Sequence, residues 1–198
     1  MAGLTYDEYA FGLSWVVDEP LARTSHALVD DDRVWLVDPV DAPEAMVRVA
    51  KLGEPAGVLQ LLDRHDRDGQ AIATRLGVPL VKAYDTPAGA PFETVKVLGL
   101  PVWKEVALWW PEHHALVVAE IVGTNPVWAV GPGPAGIHPM VRALPPGALR
   151  GYEPEHLLVG HGPGVHGAAA VAALREAYAR SRRDIPASLL KLPSLRPR

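Results

Sequence analysis

The 198-residue sequence contains no cysteine, only two phenylalanines and no long apolar run. The lack of cysteine excludes disulfides, thiolate metal sites and cysteine nucleophiles, and it fits the reducing cytoplasm. Because no apolar run approaches the roughly 20 residues of a membrane-spanning helix, we expect no membrane partner. Residues 1–9 include acidic residues but no basic cluster, so we expect no signal peptide and assign the protein to the cytoplasm.

Basic residues do not outnumber acidic ones in this sequence. The formal net charge is −4, which argues against a nucleic-acid partner. Apolar residues make up 48% and charged residues 21% of the chain, a balance typical of globular proteins. The length suits one hydrophobic core. We therefore predict a single domain over residues 1–184 and a partly extended C-terminal tail over residues 185–198.

Short apolar runs alternate with helical patterns along the chain. The predicted strands are Phe11–Val17, His26–Val29, Val34–Val37, Val58–Leu62, Val78–Val81, Thr94–Leu98, Val106–Trp110, Ala115–Ala119, Val127–Val130 and His156–Val159. The predicted helices are Pro43–Leu52, Gln70–Leu76, Ile137–Leu144 and Val165–Arg180. Two β-rich halves, each followed by helices, predict an α+β fold with a two-sheet core and helices outside it.

The loop after the predicted strand Val58–Leu62 is the most informative stretch. It reads Asp-Arg-His-Asp-Arg-Asp over residues 63–68, so charged residues and one histidine follow a buried strand directly. One interpretation is a solvated loop whose last residue, Asp68, begins the next helix as its N-cap. The other is a functional site, since ligand-binding side chains concentrate in loops at strand ends.

Two further signals have the same form. His161 lies between two glycines directly after the predicted strand His156–Val159, which leaves its imidazole unobstructed. Glu120 ends the apolar stretch that begins at Leu116. A carboxylate there costs several kcal/mol unless it is paired or bound to a cation, so Glu120 needs either a metal or an arginine.

In this order, the three signals resemble the metallo-β-lactamase superfamily over roughly residues 14–179. The predicted hairpin that ends at Asp38 is similar to the opening hairpin of that family, and the 63–68 loop lies where the family has its His-x-His-x-Asp-His signature. Residues 109–120 resemble the strand pair that ends in a metal-bridging aspartate, and residues 160–162 match the terminal Gly-His-Gly. The resemblance implies a four-layer αββα sandwich.

Position by position, the resemblance is incomplete. His65 and His161 match family histidines, and Glu120 replaces the bridging aspartate. Asp63 and Asp68 stand where the first and third signature histidines would be. Near Pro101 the resemblance implies a further histidine, but the sequence offers no ligand there. The metal ligands that survive on this comparison are His65, Asp68, Glu120 and His161.

Arg67 is the most serious departure, because it takes the place of the signature aspartate. Its guanidinium keeps its proton in proteins, and a fixed cation beside a divalent ion costs on the order of several kcal/mol. We therefore expect Arg67 to form an ion pair with Asp68, Glu120 or both. A site for two metals is not expected.

Two functional classes stay open. The first, which we favour at this point, is a catalytically drifted protein without a metal that binds a small molecule or a partner in the old cleft. The second is a hydrolase with one divalent ion (zinc, iron or manganese), an activated water, and Asp63 or Asp66 as the general base. The six tryptophans add a further option, an apolar surface that forms a homodimer.

Overall fold

The computed structural model describes residues 3–85 and 88–191. Six strands in sequence order form the first sheet: β1 (Leu4–Tyr9), β2 (Gly12–Val17), β3 (Thr24–Asp30), β4 (Arg33–Val37), β5 (Glu54–Gln60) and β6 (Leu80–Lys82). The first four strands are antiparallel neighbours, whereas β4, β5 and β6 run parallel to one another. Parallel strands need crossover connections, and two helices supply them: α1 (Pro43–Val49) and α2 (Gly69–Leu76).

The second sheet has five strands in the order β13-β12-β9-β8-β7. Its strands are β7 (Glu93–Leu100), β8 (Trp103–Trp110), β9 (Ala115–Val118), β12 (His156–Val159) and β13 (Val165–His166). A small ribbon pairs β10 (Val122–Gly123) with β11 (Gly136–Ile137), and short 3-10 turns cover Pro111–His113 and Pro139–Val141. Two helices follow the second sheet: α3 (Ala168–Arg180) and α4 (Ile185–Lys191).

Two hydrophobic clusters hold the layers together. The larger one takes residues from both sheets and from α3, for example Leu28, Leu116 and Leu174. The smaller one lies on the other face of the first sheet, where Trp15 and Ile72 pack with residues of α1 and α2. Alternate residues of a strand point to opposite faces, so β4 contributes Trp35 and Val37 to the larger cluster and Val34 and Leu36 to the smaller one. The layers are those of the predicted αββα sandwich.

Several predicted elements differ from those in the structure. Residues 127–130 form a turn rather than a strand, and residues 137–144 contain only a 3-10 turn because Pro139 and the β11 pairing interrupt the helical pattern. The last long helix begins at Ala168 and not at Val165, since Gly167 has a φ of 64° that breaks a helix.

Residues 185–191, the first part of the tail that was predicted to be partly extended, form α4. The remaining tail residues, 192–198, lie outside the described part of the chain. Among the described residues, no helix has the length and apolar character needed to cross a membrane.

The topology brings four strand ends to one edge of the sandwich. β4 and β5 are parallel neighbours in the first sheet, and β9 and β12 are parallel neighbours in the second. Single β-bridges join the sheets there, between Arg23 and His161 and between Leu62 and Glu105. The segments that follow these four strands therefore meet at this edge, and we call the space between them the cleft.

Candidate metal centre

Three of the predicted ligands meet in the cleft. His65 follows β5, Glu120 follows β9, and His161 follows β12. One donor atom from each lies within 4.8 Å of the donor atoms of the other two. They form the one group of at least three potential metal ligands found among residues 3–85 and 88–191.

A different acceptor orients each of the two imidazoles. His65 donates its Nδ1–H to Oδ2 of Asp38 at 2.8 Å, and His161 donates its Nδ1–H to the carbonyl of Leu21 at 3.0 Å. Because an ionised carboxylate and a carbonyl only accept hydrogen bonds, both Nδ1 atoms carry a proton, and in the neutral form of each ring the lone pair lies on Nε2. Both Nε2 atoms are buried and have no hydrogen-bond partner among the described residues. This orientation is typical of metal-binding histidines.

Burial keeps the imidazoles of His161 and His138 neutral. The pKa of His161 is lowered to about 3, first because the side chain is buried and second because the Arg67 guanidinium is near. His138, which was not among the predicted ligands, lies with its Nε2 3.9 Å from Glu120. Burial lowers the pKa of His138 to about 4, and its Nδ1 accepts a hydrogen bond from the backbone of Met140. The Nε2 of His138 therefore carries a proton and faces the carboxylate as a donor.

Glu120 is held at both its side chain and its backbone. Its Oε2 accepts a hydrogen bond from Arg64 at 2.7 Å, so of the two partners considered for Glu120 the structure shows an arginine, although it is Arg64 and not Arg67. Its backbone N–H donates to the buried carboxylate of Glu105, and its carbonyl accepts from the indole of Trp128. The guanidinium of Arg64 lies 4.3 Å from the centre of the Trp103 ring, which fixes it on the second side.

Arg67 has other partners than those expected. Instead of an ion pair with Asp68 or Glu120, its guanidinium donates to three backbone carbonyls, those of Thr24, Asp38 and Gly160, at 2.6 to 3.0 Å. The pKa of Arg67 is lowered by burial, although the nearby Asp38 carboxylate acts in the opposite direction. The sequence pattern predicted that Arg67 pairs with carboxylates. In the structure it instead joins β3 to the residues that follow β4 and β12, beneath the cleft.

None of the three aspartates of the loop belongs to the ligand group. Asp68 accepts a hydrogen bond from the backbone of Asp41 at 2.8 Å and makes no N-cap bond to its own helix. The structure thus does not bring Asp68, a predicted ligand, into the group. Asp63 accepts from the backbone of Lys104 at 3.0 Å, and both Asp63 and Asp66 are exposed.

Sequence reasoning missed Glu105 and Trp128 and gave Asp38 no role in the site. Asp38 is buried, and its pKa is lowered because His65 and Arg67 outweigh the effect of burial. Glu105 follows Lys104 and precedes the apolar stretch Val106–Trp110, so its position in the sequence does not indicate that it is buried. Trp128 stacks on His161 with ring centres 4.7 Å apart, and no local pattern indicates such a contact.

The three tryptophans between residues 103 and 110 divide into two groups by their position relative to the site. Trp103 does line the cluster, since it packs edge-on against His138 and under Arg64. Trp109 packs against Tyr152, and Trp110 packs against Phe92 in the core. The cleft is thus walled by Trp103 and Trp128, both of which are buried.

Comparison with known proteins finds similar folds among solved structures. No model of a known protein family matches the sequence, and no curated protein matches it either. Among solved structures, the DIM-1 metallo-β-lactamase exposed to ceftazidime superposes with a TM-score of 0.64 at 13% identity, over 92% of this chain and 99% of that one. The TMB-1 structure gives 0.62 at 11% identity, over 92% and 99% of the two chains.

A third similar structure is a metallo-β-lactamase from Erythrobacter litoralis, with a TM-score of 0.60 at 11% identity, over 91% of this chain and 94% of that one. At sequence identities this low, the superpositions establish the architecture alone. The chemistry has to be argued from the site itself. The full-length superpositions and the two-sheet topology agree: this chain has the metallo-β-lactamase fold.

Proposed function

We propose that the protein is a hydrolase that works with one divalent metal ion held by His65, Glu120 and His161. The observation that supports this best is the pair of buried Nε2 atoms that lie within 4.8 Å of a carboxylate oxygen and have no hydrogen-bond partner among the described residues. A buried polar atom without a partner costs about 1–3 kcal/mol, so two of them beside one carboxylate need a reason. A bound cation satisfies all three donors at once.

The donor chemistry fits one ion and not two. Two imidazoles and one carboxylate are a ligand set used for zinc and for iron(II) in proteins. A second ion has no comparable set among the described residues, since Asp68 bonds to Asp41 and the Arg67 cation lies beneath the cleft. An ion held at this site would supply Lewis-acid activation of water and of a polarised substrate bond.

The remaining residues of the site have distinct parts in this proposal. Asp38 and the Leu21 carbonyl orient the two imidazoles, while Arg64 and Glu105 hold Glu120. Asp63 and Asp66 remain the proposed proton acceptors. The backbone of Lys104 fixes the orientation of the Asp63 carboxylate, so Asp63 is the better candidate of the two. The cytoplasmic location likewise stays a prediction.

A second candidate function rests on a different observation. Without an ion the cluster is already balanced in charge, because Arg64 neutralises Glu120, and Arg67 lies near Asp38. In that case the protein is the catalytically drifted one considered above, and its cleft binds a small molecule without a metal.

Metal content separates the two candidates. We expect protein purified without chelators to contain about one equivalent of a transition metal by elemental analysis, and metal-free protein to bind one Zn²⁺ in a calorimetric titration. His161→Ala removes one of three ligands and should abolish stoichiometric binding. His114→Asn is the matched control, because His114 is exposed and has a φ of 45° that asparagine tolerates. Zinc binding that is absent, or equal in the wild type and His161→Ala, would contradict the single-ion proposal.

A further inference from the structure

Two histidines outside the cleft belong to a second polar cluster. His156 on β12 and His166 on β13 are partners in the antiparallel pairing of these strands, and their Nδ1 atoms lie 2.7 Å apart. The Nε2 of His166 lies 2.8 Å from Oδ2 of Asp7 on β1. Asp7, His166 and His156 thus form one hydrogen-bonded chain of side chains, which we call the clasp.

The clasp connects the edges of the two sheets. β1 is the outermost strand of the first sheet, and β13 is the outermost strand of the second. Because these strands belong to different sheets, the bond between Asp7 and His166 joins them through side chains. β13 has only two residues, and both pair with β12. With so short a ladder, the attachment of β13 depends on contacts beyond its backbone.

The geometry limits the number of protons that the clasp can hold. An ionised carboxylate only accepts hydrogen bonds, so the Nε2 of His166 that faces Asp7 carries a proton. A hydrogen bond between two Nδ1 atoms needs one donor and one acceptor, so a single proton lies between the rings of His156 and His166. While this bond exists, the two imidazoles together carry at most one positive charge.

A second charge on the two rings breaks the bond between them. Two imidazolium ions would direct N–H groups and like charges at each other across 2.7 Å. Burial lowers the pKa of His156 from 6.5, and the charge of His166 lowers it further. The contribution of the closed clasp to stability is therefore complete above pH 6.5 and is lost as the pH falls below that value. The side chains of His166 and Asp7 are 32% and 26% exposed, so protons from solvent can reach the clasp.

Several other groups face His156. Among the charged ones, Glu155 and Asp7 favour its protonation, whereas His166 and His113 oppose it, and His166 has the largest effect of the four. The rings of Tyr9 and Phe11 lie 6.2 and 4.9 Å from the His156 ring, between centres. Burial raises the pKa of Tyr9, so its phenol stays uncharged. The contact with His166 is thus the main electrostatic control on His156.

The loop before β13 packs directly against the clasp. A Cβ at Gly164 would lie 2.9 Å from Oδ2 of Asp7 and 3.0 Å from Nε2 of His166. The closed clasp therefore leaves no space for a side chain at this position. A substitution there can open the clasp without changing any titrating group.

We propose that Asp7, His166 and His156 form a proton-sensitive clasp, which is closed at neutral pH and loosens β13 at the sheet edges when both imidazoles are protonated. The proposal is independent of the proposed function. None of the three residues belongs to the candidate metal centre, and both histidines are five positions from His161 in the sequence.

Hydrogen exchange of a peptide that covers residues 163–168 tests the clasp. The peptide contains the N–H of Gly167, which donates to the carbonyl of Glu155, and a peptide from β9 reports global unfolding. Between pH 7.5 and pH 4.5, after correction for the intrinsic exchange rate, we expect wild-type protection of residues 163–168 to fall about tenfold relative to β9. The reason is the loss of one charge-assisted hydrogen bond.

Three variants separate titration from packing. His156→Asn keeps an amide that can donate to or accept from His166 but cannot titrate, so its protection should not depend on pH over this range. Gly164→Ala keeps every titrating group but displaces the Asp7 carboxylate, so its protection should be low already at pH 7.5. His114→Asn is the matched control, because it removes an exposed histidine outside the clasp and should respond to pH like the wild type.

Defined outcomes overturn the clasp. Wild-type protection that does not change with pH contradicts it, and so does an equal pH response in the wild type and His156→Asn. Loss of the response in His114→Asn also contradicts it. If His156→Asn does not fold, histidine NMR of the wild type decides: the two rings should take up their protons in separate steps, and independent titration of both near the ordinary value of 6.5 overturns the proposal.

Discussion

At the scale of single residues, the direction of one lone pair decides what the cleft can bind. The Asp38 carboxylate accepts from the Nδ1–H of His65 and from the backbone N–H of Leu61, so its two oxygens are both engaged. Asp38 itself has a φ of 43°, a left-handed conformation that aspartate adopts more readily than most residues. The strand end thus turns this carboxylate toward the imidazole and leaves Nε2 free for a ligand.

Asp38→Asn tests this orienting role. An amide keeps the size of the side chain but offers one acceptor, so it cannot accept from both N–H groups at once. We expect zinc affinity to fall about 10- to 100-fold, and the free energy of unfolding of the metal-free protein to decrease by about 1–3 kcal/mol. Calorimetric titration and urea denaturation measure the two effects.

The control for this change is Asp41→Asn, which removes an exposed aspartate paired with Arg75. Surface ion pairs contribute at most about 1 kcal/mol, so this variant should bind zinc like the wild type. Equal zinc affinity in Asp38→Asn and Asp41→Asn would show that Asp38 has no orienting role.

At the scale of elements, β8 fixes the segment that carries Glu120. Glu105 on β8 is fully buried, and its Oε1 accepts from the backbone N–H groups of both Glu120 and Ile121 just beyond β9. Its Oε2 accepts from the indole of Trp103 at 3.0 Å. One carboxylate therefore sets the position of a proposed ligand and of a cleft wall.

The pH dependence of stability should reveal this buried carboxyl group. Burial raises the pKa of Glu105 from 4.5 to about 7, although three N–H donors act against the shift. Because the folded pKa is the higher one, the stabilisation is complete below pH 4.5 and is lost as the pH rises through 7. We expect the advantage of the wild type over Glu105→Gln, measured by urea denaturation, to shrink by about 3 kcal/mol between pH 4.5 and pH 8. Stability profiles that stay parallel over this range would contradict a raised pKa.

How far the elements could be predicted depends on whether their signals are local. The pattern of Val34–Val37 and the apolar run Val58–Leu62 indicated strands correctly, because alternation and burial are properties of short stretches. The helix predicted over residues 137–144 failed because the pairing of β11 with β10, a tertiary contact, took its first residue.

For the candidate site, the prediction was limited by contacts between residues that are far apart in the sequence. His65, Glu120 and His161 could be predicted, since each follows an apolar strand and matches a family position. The Arg64–Glu120 pair joins residues 56 apart, and the bond from Arg67 to Gly160 joins residues 93 apart. The sequence shows that charges are present in the loop but not which partner the folded chain gives to each.

At the scale of the whole molecule, the buried His26 makes the stability of the fold depend on pH. His26 lies in the core on β3 next to Ser14, with Oγ and Nδ1 2.7 Å apart, and burial lowers its pKa from 6.5 to about 4. Asp38 acts against this shift, whereas Arg67 adds to it. The folded state therefore keeps His26 neutral at a pH where the unfolded chain protonates it.

The sign of this effect is opposite to that of Glu105. With the folded pKa lowered, the unfolded state binds more protons between pH 6.5 and pH 4, so stability falls as the pH falls through that range. The pKa difference of about 2.5 corresponds to about 3 kcal/mol, of which about 2 kcal/mol is lost by pH 5. Glu105 offsets part of this loss, whereas His138 and His161, whose pKa values are also lowered, add to it. Only a variant that removes one group therefore isolates the contribution of that group.

His26→Gln removes the titrating group and keeps an amide that can bond to Ser14. At pH 7.5 the variant should be less stable than the wild type by about 1–2 kcal/mol, because the buried packing and one hydrogen bond change. As the pH falls, the wild type loses the contribution of neutral His26 and the variant does not. Urea denaturation at pH 7.5, 6 and 5 should therefore show the difference shrinking and vanishing near pH 5, whereas a constant difference would mean that His26 is not held neutral by the fold.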